Sequence, residues 1–135
     1  MREFTWPVRV YYEDTDAGGV VYHSNYLNYM ERARTEMLRH IGYEQTDLIE
    51  QQQLIFAVKH VDIDFRKPAR FNDRINVVTR IIECNSASFR FEQIIRDAKD
   101  DVLCSGKVLI VALDSYTFKP KRLPEFLAVE MQDVN

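Results

Sequence analysis

The sequence predicts an α+β domain in which one long helix lies against a mainly antiparallel sheet. Apolar residues recur at three- and four-residue steps after position 24, and strand-like segments separated by short turns follow position 53. The chain has 135 residues, enough for one domain, and its 46% hydrophobic and 29% charged content is that of an ordinary globular protein. A single domain over residues 1–135 is therefore expected.

The N-terminal part is predicted to be a strand followed by a polar loop. Apolar side chains alternate with Arg9 and Tyr11 over residues 8–12, which is the period of a strand with one buried face. This strand is expected to end near Glu13. The loop that follows covers residues 14–22.

A long half-buried helix is predicted from Ser24 to Ile41, because its apolar residues fall on one face. Ser24 or Asn25 is expected to cap its start, and Gly42 stands where a left-handed residue commonly ends a helix. The polar segment 44–52 predicts a short additional helix or an ordered loop.

Four strand-like segments make up most of the remainder. They cover Leu54–Phe65, Arg74–Glu83, Ala87–Asp97 and Val102–Leu113. The short connections between the last three predict an antiparallel meander. In the first segment the apolar phase changes near His60, which predicts a β-bulge there.

Charge and cysteine content exclude several classes of function. The net charge of −3 comes from 18 basic and 21 acidic residues spread along the chain, so nucleic-acid binding is not expected. No signal-peptide core or membrane-spanning apolar run is present, so a cytoplasmic location is expected. Cys84 and Cys104 lack the spacing of a metal site and are predicted to be buried or half-buried free thiols.

The chemistry is concentrated between Tyr11 and Arg39, which read YYEDTDAGGVVYHSNYLNYMERARTEMLR. An ionised aspartate is able to act as a nucleophile or base without an activating partner. The unpaired N–H groups that open a helix are able to stabilise a developing oxyanion. The position of Asp16 in the loop favours this residue over Asp14 as the reactive acid. The alternative is that both aspartates cap a turn.

The order D-x-G-G-x-x-Y-H-x-N-Y leading into Y-x-E-x-A-R resembles the 4-hydroxybenzoyl-CoA thioesterase family of hotdog-fold enzymes. The longer run WPVRVYYEDTDAGGVVYH is most similar to its branch of small bacterial acyl-CoA thioesterases associated with the Tol-Pal envelope system. The resemblance implies a five-stranded antiparallel sheet wrapped around the helix, with Leu54–Phe65 pairing with its symmetry mate in a homodimer or a dimer of dimers. It also implies hydrolysis of an acyl-CoA, or of an acyl carrier protein thioester, without a cofactor or metal.

The resemblance also implies roles for the residues of the loop. Asp16 aligns with the catalytic carboxylate, and the backbone amide of His23 is the expected oxyanion donor, with that of Tyr22 second. The His23 ring orients Asp16, water or the leaving thiolate, or it only helps to cap the helix. Gly18 and Gly19 permit positive φ and close approach of a ligand, or form a simple tight turn.

A second segment, FRKPARFND at 65–73, is also typical of the family. Its Arg66, Lys67 and Arg70 are expected to contact the phosphates of coenzyme A, unless they form a solvated basic turn. The 4-hydroxybenzoyl branch carries further basic residues near the turn that corresponds to 83–88, where this chain has Cys-Asn-Ser-Ala. This departure leaves open a substrate whose pantetheine is carried on a protein.

Two further residues of the helix are candidates. Tyr26 is expected to line the acyl pocket. Glu31 is a competing acid, because another hotdog branch places its carboxylate on the helix, or it is a solvated residue that pairs with Arg34 or Arg32. The alternative functions are a hotdog hydratase or dehydratase that uses a histidine and an acid, and a protein that binds acyl-CoA without turnover.

Overall fold

The computed structural model describes residues 3–133. Its strands and helices are β1 (Phe4–Arg9), α1 (Asn25–His40), α2 (Gln45–Gln52), β2 (Leu54–Phe65), β3 (Arg74–Cys84), β4 (Ser88–Asp97), β5 (Val102–Asp114) and α3 (Glu125–Asp133). The five strands form one antiparallel sheet in the order β1-β3-β4-β5-β2. The predicted α+β class and the β3-β4-β5 meander are confirmed.

Helix α1 covers one face of this sheet. The core consists of two apolar clusters, one around the first half of α1 and one around its second half together with α2 and α3. Two buried polar side chains, Thr79 and Gln93, lie along the strands between the clusters. Gln93 Nε2 donates to the Met30 carbonyl oxygen and to Thr79 Oγ1, both at 2.9 Å, and so joins α1 to the sheet.

The first strand lies further toward the N-terminus than the alternation over 8–12 predicts. It spans Phe4–Arg9 and includes Pro7, which an edge strand tolerates because one side of its backbone needs no partner. After Arg9 the chain leaves the sheet: the Val10 N–H donates to the Asp73 carbonyl oxygen at 2.9 Å, and residues 12–14 form one 3₁₀ turn. The prediction of a strand reaching residue 13 is therefore wrong.

Helix α1 begins and ends within one residue of the prediction, and Gly42 has the expected positive φ, at +105°. The predicted side-chain cap is wrong. Ser24 has helical backbone angles and makes no capping hydrogen bond, and Asn25 Oδ1 accepts from Asn28 Nδ2 at 2.7 Å instead. Among the described residues, no side chain therefore caps the N–H groups at the start of α1.

The remaining elements agree with the sequence except at the C-terminus. Strand β2 has a register irregularity between Val58 and His60, which confirms the predicted bulge. Helix α3 was not predicted, although Leu123, Leu127 and Met131 recur every four residues and are buried. Within residues 3–133, no helix is long and apolar enough to cross a membrane.

Candidate active site

The loop that carries Asp16 is held by its own backbone. Thr15 pairs with Val21, the Asp16 N–H donates to the Val20 carbonyl oxygen at 2.9 Å, and the Gly19 N–H donates to the Asp16 carbonyl oxygen at 3.0 Å. Gly19 has a φ of +77°, which favours glycine. Asp16 is thus fixed near the tip of a narrow turn.

The two oxygens of the Asp16 carboxylate differ in their surroundings. Oδ1 accepts from the Gly18 N–H at 2.8 Å, which is the turn-capping geometry. Oδ2 accepts from no donor among residues 3–133, and the side chain is exposed. A Cβ at position 18 would lie 3.1 Å from Oδ1, so a glycine there leaves room for the carboxylate. One oxygen therefore orients the carboxylate and the other is accessible to a reactant.

Two free backbone amides, those of His23 and Ser24, directly precede α1. The Tyr22 N–H donates to the Asp14 carbonyl oxygen at 2.9 Å, and the Asn25 N–H donates to the Tyr22 carbonyl oxygen at 2.8 Å. In the described part of the chain, the N–H groups of His23 and Ser24 donate to no acceptor. The Tyr22 amide, the second candidate for the oxyanion donor after that of His23, is therefore already occupied. The positive end of the α1 dipole adds to the potential at His23.

A cavity of about 260 Å³ opens beside this helix start. It is lined by Val21, His23, Tyr26, Phe65, Arg66, Lys67 and Pro68. The His23 ring is exposed and lies between two aromatic rings, 4.6 Å from that of Tyr22 and 6.4 Å from that of Phe65 between centroids. Aromatic contacts, not hydrogen bonds among the described residues, therefore orient this imidazole.

The Asp16 loop and the turn after β2 are joined into one site. The Val21 N–H donates to the Ala69 carbonyl oxygen at 2.9 Å, and the Ala69 N–H donates to Tyr26 Oη at 3.0 Å. Val20 also pairs with Arg70. Burial raises the pKa of Tyr26, so its hydroxyl stays protonated at neutral pH. The buried Tyr26 side chain thus supports the turn and forms one wall of the cavity.

The basic residues of this turn are not equivalent. Lys67 Nζ lies 3.0 Å from Asp101 Oδ2 and 3.7 Å from Asp97 Oδ2, and the Asp101 carboxylate raises the pKa of the lysine. Its charge is therefore already balanced, which argues against phosphate binding. Arg66 and Arg70 form no ion pair with any residue between 3 and 133.

A larger groove of about 390 Å³ lies on the other side of Arg66, on the outer face of the sheet. It is lined by three carboxylates, those of Asp62, Asp64 and Glu92, against the cations of Arg66 and Lys107. Arg80 Nη2 lies 2.6 Å from Glu92 Oε1 and pairs with it, so the groove has no excess of positive charge that would attract a phosphate group. The smaller cavity beside His23 is therefore the better candidate for the reacting end of a substrate.

Comparison with known proteins agrees with this geometry. Residues 10–130 match the thioesterase-like superfamily. The chain belongs to this superfamily. The acyl-CoA thioester hydrolase YbgC of Escherichia coli O6:H1 is 43% identical over 129 residues, which cover 96% of each chain. The acyl-CoA thioesterase YbgC of Haemophilus influenzae is 45% identical over 123 residues, which cover 90% of this chain and 89% of that one.

Solved structures of thioesterases have the same fold. A probable thioesterase from Bartonella henselae superposes with a TM-score of 0.86 at 38% identity, covering 90% of this chain and 99% of that one. Slr0204, a 1,4-dihydroxy-2-naphthoyl-CoA thioesterase from Synechocystis, superposes with a TM-score of 0.90 at 26% identity, covering 98% and 97%. The predicted hotdog fold and the thioesterase family are confirmed, and the protein is a thioester hydrolase.

Phe65 also lines the cavity beside His23, although no sequence pattern predicted a role for it. Its side chain is 50% exposed, and its ring centroid lies 5.7 Å from that of Tyr26. It forms an apolar wall opposite the helix start. The sequence signal that could have identified Phe65 is its position as an aromatic residue at the end of an edge strand, directly before the basic turn.

The competing acid, Glu31, does not line the cavity beside His23. It lines a separate cavity of about 110 Å³ between the helices and the sheet, together with Arg34 and Phe89. Glu31 is exposed, and within residues 3–133 it makes no ion pair with Arg32 or Arg34. Arg34 donates instead to Gln93 Oε1 at 3.0 Å. The exposure of Glu31 agrees with the alternative of a solvated residue, but the direct ion pair expected with it is not formed among these residues.

The two cysteines are free thiols, as predicted, with Cys84 half-buried and Cys104 buried. Burial raises the pKa of Cys104 to about 12, so its thiol carries almost no thiolate at neutral pH. Neither cysteine lines the cavity beside His23.

Proposed function

We propose that this enzyme hydrolyses the thioester of an acyl-CoA to a free acid and a thiol, with Asp16 as nucleophile or general base and the His23 amide as oxyanion donor. The observation that carries the proposal is the accessible Asp16 Oδ2 on a loop that leads directly into the unpaired His23 N–H. The names of the YbgC relatives support the substrate class.

The proposed reaction begins with the thioester carbonyl oxygen accepting a hydrogen bond from the His23 N–H. Asp16 Oδ2 then attacks the carbonyl carbon, and the C–S bond breaks to release the thiolate and leave a mixed anhydride that water hydrolyses. In the general-base form, Asp16 instead takes a proton from an attacking water. Loss of one oxyanion donor typically costs about 3 kcal/mol of transition-state stabilisation, so one well-placed amide makes a large contribution.

The acyl carrier is either coenzyme A or the pantetheine of an acyl carrier protein. Arg66 and Arg70 are the available phosphate ligands, whereas Lys67 is paired with Asp101. Beside the turn after β3, Glu83 Oε2 lies 3.4 Å from Arg90 Nε. The charge of Arg90 is therefore balanced by Glu83 and is less available to a phosphate group. Acyl-CoA is the first substrate to test, and an acyl carrier protein thioester is the second.

A thiol-release assay tests the proposed activity. We expect free thiol from straight-chain, branched or aromatic acyl-CoA without added metal, since the proposed chemistry uses only a carboxylate and an amide. The same assay with acyl carrier protein thioesters identifies the carrier. Absence of release from every thioester would refute the proposal, and activity lost in a chelator but restored by zinc would refute the metal-free mechanism.

His23→Ala is expected to keep measurable hydrolysis and to lose less activity than Asp16→Asn, because the backbone N–H survives the substitution. We expect a fall in kcat of about tenfold or less, below the usual effect of removing a general acid or base. The pH–rate profile of the variant is the second measurement. A loss equal to that of Asp16→Asn, with the acidic limb of the profile abolished, would place the imidazole among the catalytic groups.

The enzyme is proposed to be a homodimer, or a homotetramer made of two dimers. Strand β2 is 12 residues long and carries the 51%-exposed Val58, and within residues 3–133 it pairs with β5 alone. A long edge strand with apolar residues is a template for pairing with another chain. The other edge strand, β1, is half as long and contains Pro7, which has no N–H to offer a further strand. Association of two copies through β2 is therefore favoured.

Val58→Lys is expected to shift this oligomer toward monomer, because it puts a charge on the proposed interface. Val129→Lys on α3 is the matched control, since Val129 is 49% exposed and lies outside β2. Sedimentation equilibrium should give two or four times the 16.0 kDa chain mass for the native enzyme and the control. A fully active native monomer would contradict the proposal.

A cytoplasmic location is proposed from the two unpaired cysteines, which fit a reducing compartment. Association with the Tol-Pal envelope system is an expectation of the sequence resemblance, and co-purification with that system would test it.

A further inference from the structure

We propose that Arg9, Arg74, Tyr12 and Phe71 form a site for the phosphorylated adenosine of coenzyme A, at the corner of the sheet where β1 ends and β3 begins. The two arginines bind the phosphate on the ribose, and the two aromatic rings hold the adenine. The inference rests on the proposed function, because it follows the same substrate from the thioester at Asp16 to its nucleotide end.

The two arginines lie directly opposite each other on neighbouring strands. Arg9 and Arg74 are cross-strand partners, and both are exposed. Their chain neighbours Val8 and Ile75 pack in the core, so both arginines point to the outer face of the sheet. Within residues 3–133 neither arginine forms an ion pair. Like charges directly opposite each other destabilise a sheet, and a bound phosphate would relieve this repulsion.

Arg9 is held in place by the turn that precedes β3. Its Nη1 donates to Asn72 Oδ1 at 2.9 Å and to the Asn72 carbonyl oxygen at 3.2 Å. Among the described residues, its Nε and Nη2 donate to no acceptor and remain free for a ligand. Arg9 and Arg74 line a groove of about 440 Å³, with Asn76 beside them. The groove therefore offers a phosphate group both space and positioned donors.

Two exposed aromatic rings lie beside these arginines. Tyr12 is 79% exposed and Phe71 is 54% exposed, and their ring centroids lie 5.8 Å apart in an edge-to-face contact. Phe71 directly precedes Asn72, whose N–H donates to the Val10 carbonyl oxygen at 2.9 Å and whose φ is +71°. Asparagine tolerates this left-handed angle, so the turn is well defined. A fixed pair of exposed rings is a stacking surface for a base.

The turn that carries Phe71 continues from the cavity beside His23. Pro68 lines that cavity and Phe71 follows three residues later, so their Cα atoms are at most about 11 Å apart. The pantetheine arm and the pyrophosphate of coenzyme A are long and flexible enough to cover this separation. Arg70 stands between the two ends in the sequence and is placed to meet the pyrophosphate. One substrate molecule is thus able to occupy both sites.

The nucleotide site stays open in the proposed dimer. Strands β1 and β3 lie at one edge of the sheet, whereas β2 lies at the opposite edge. Pairing of two copies through β2 therefore leaves Arg9 and Arg74 exposed to solvent.

Titrations with free coenzyme A, dephospho-CoA and pantetheine test this site without turnover. Dephospho-CoA lacks the phosphate on the ribose, and pantetheine lacks the whole nucleotide. The native enzyme should bind coenzyme A about tenfold more tightly than dephospho-CoA, and Arg74→Gln should reduce this ratio to about threefold or less. Phe71→Ala should weaken the binding of both nucleotides by about tenfold and leave that of pantetheine unchanged.

Arg32→Gln and Phe118→Ala are the matched controls. Arg32 is an exposed arginine on α1, which covers the opposite face of the sheet, and Phe118 is an exposed aromatic residue in the turn after β5. Both controls should keep the native affinities. In steady-state kinetics, Arg74→Gln and Phe71→Ala should raise KM for acyl-CoA with kcat changed less than about twofold, and should not affect acyl-pantetheine.

Equal binding of coenzyme A and dephospho-CoA by the native enzyme would overturn the inference, and so would a preference that Arg74→Gln leaves intact. Inorganic phosphate that binds as tightly as coenzyme A would indicate a simple anion site and would also overturn it. The expected affinities in a chain that hydrolyses no thioester would refute the proposed function and support the nucleotide site. Hydrolysis of acyl-CoA without these affinities would refute the nucleotide site alone.

Discussion

Asp16→Asn is expected to lower kcat by at least about 100-fold while the protein stays folded. The amide oxygen of asparagine still accepts from the Gly18 N–H, so the 2.8 Å turn-capping bond survives. What is lost is the negative charge at Oδ2, which the proposed mechanism uses to attack the carbonyl carbon or to take a proton from water. Steady-state kinetics of thiol release, together with the thermal unfolding midpoint, measure the two effects separately.

Two other acids serve as controls for this assignment. Asp14→Asn should be milder, because Asp14 positions the loop, and Glu31→Gln should be near the native rate, because Glu31 lines a different cavity. Comparable losses in Asp14→Asn and Asp16→Asn, with unchanged midpoints, would mean that the reactive acid is misassigned. A dominant loss in Glu31→Gln would move the chemistry to the helix.

Gln93→Leu is expected to lower the free energy of unfolding by about 4 kcal/mol, a large effect for a single substitution. Gln93 is 0% exposed and makes three hydrogen bonds, to the Met30 carbonyl oxygen, Thr79 Oγ1 and the Arg34 guanidinium. Burial lowers the pKa of Arg34 to about 10, because a charged guanidinium is less well solvated there than in water. Leucine would leave this cation and the Thr79 hydroxyl without their partner.

Urea denaturation at fixed protein concentration measures this change. Gln51→Leu is the matched control, since Gln51 is an exposed glutamine on α2, and its effect should stay within about 0.5 kcal/mol. Adding Thr79→Val to Gln93→Leu should recover part of the loss, because one unpartnered hydroxyl is removed. A midpoint for Gln93→Leu equal to that of the control would show that the network contributes nothing to stability.

The spacing of apolar residues was sufficient to predict a helix or strand wherever that element buries one regular face. Helix α1 and the strands β2–β5 were predicted within one or two residues because their apolar residues repeat at 3.6 or 2 positions. Strand β1 was displaced because pairing with β3 allows an edge strand to include Pro7. Helix α3 was missed although its buried residues recur every four positions.

The sequence by itself determined the α+β class, the family and the local motif that puts Asp16 seven residues before His23 in one loop. Only the tertiary structure decided which groups of that motif are available. Lys67 is paired with Asp101, 34 positions away, and Ala69 is bonded to Tyr26 across 43 positions. The Tyr22 amide is occupied by Asp14 because the two sides of the loop pair. Such partnerships depend on the sheet that brings distant segments together, and no local residue pattern encodes them.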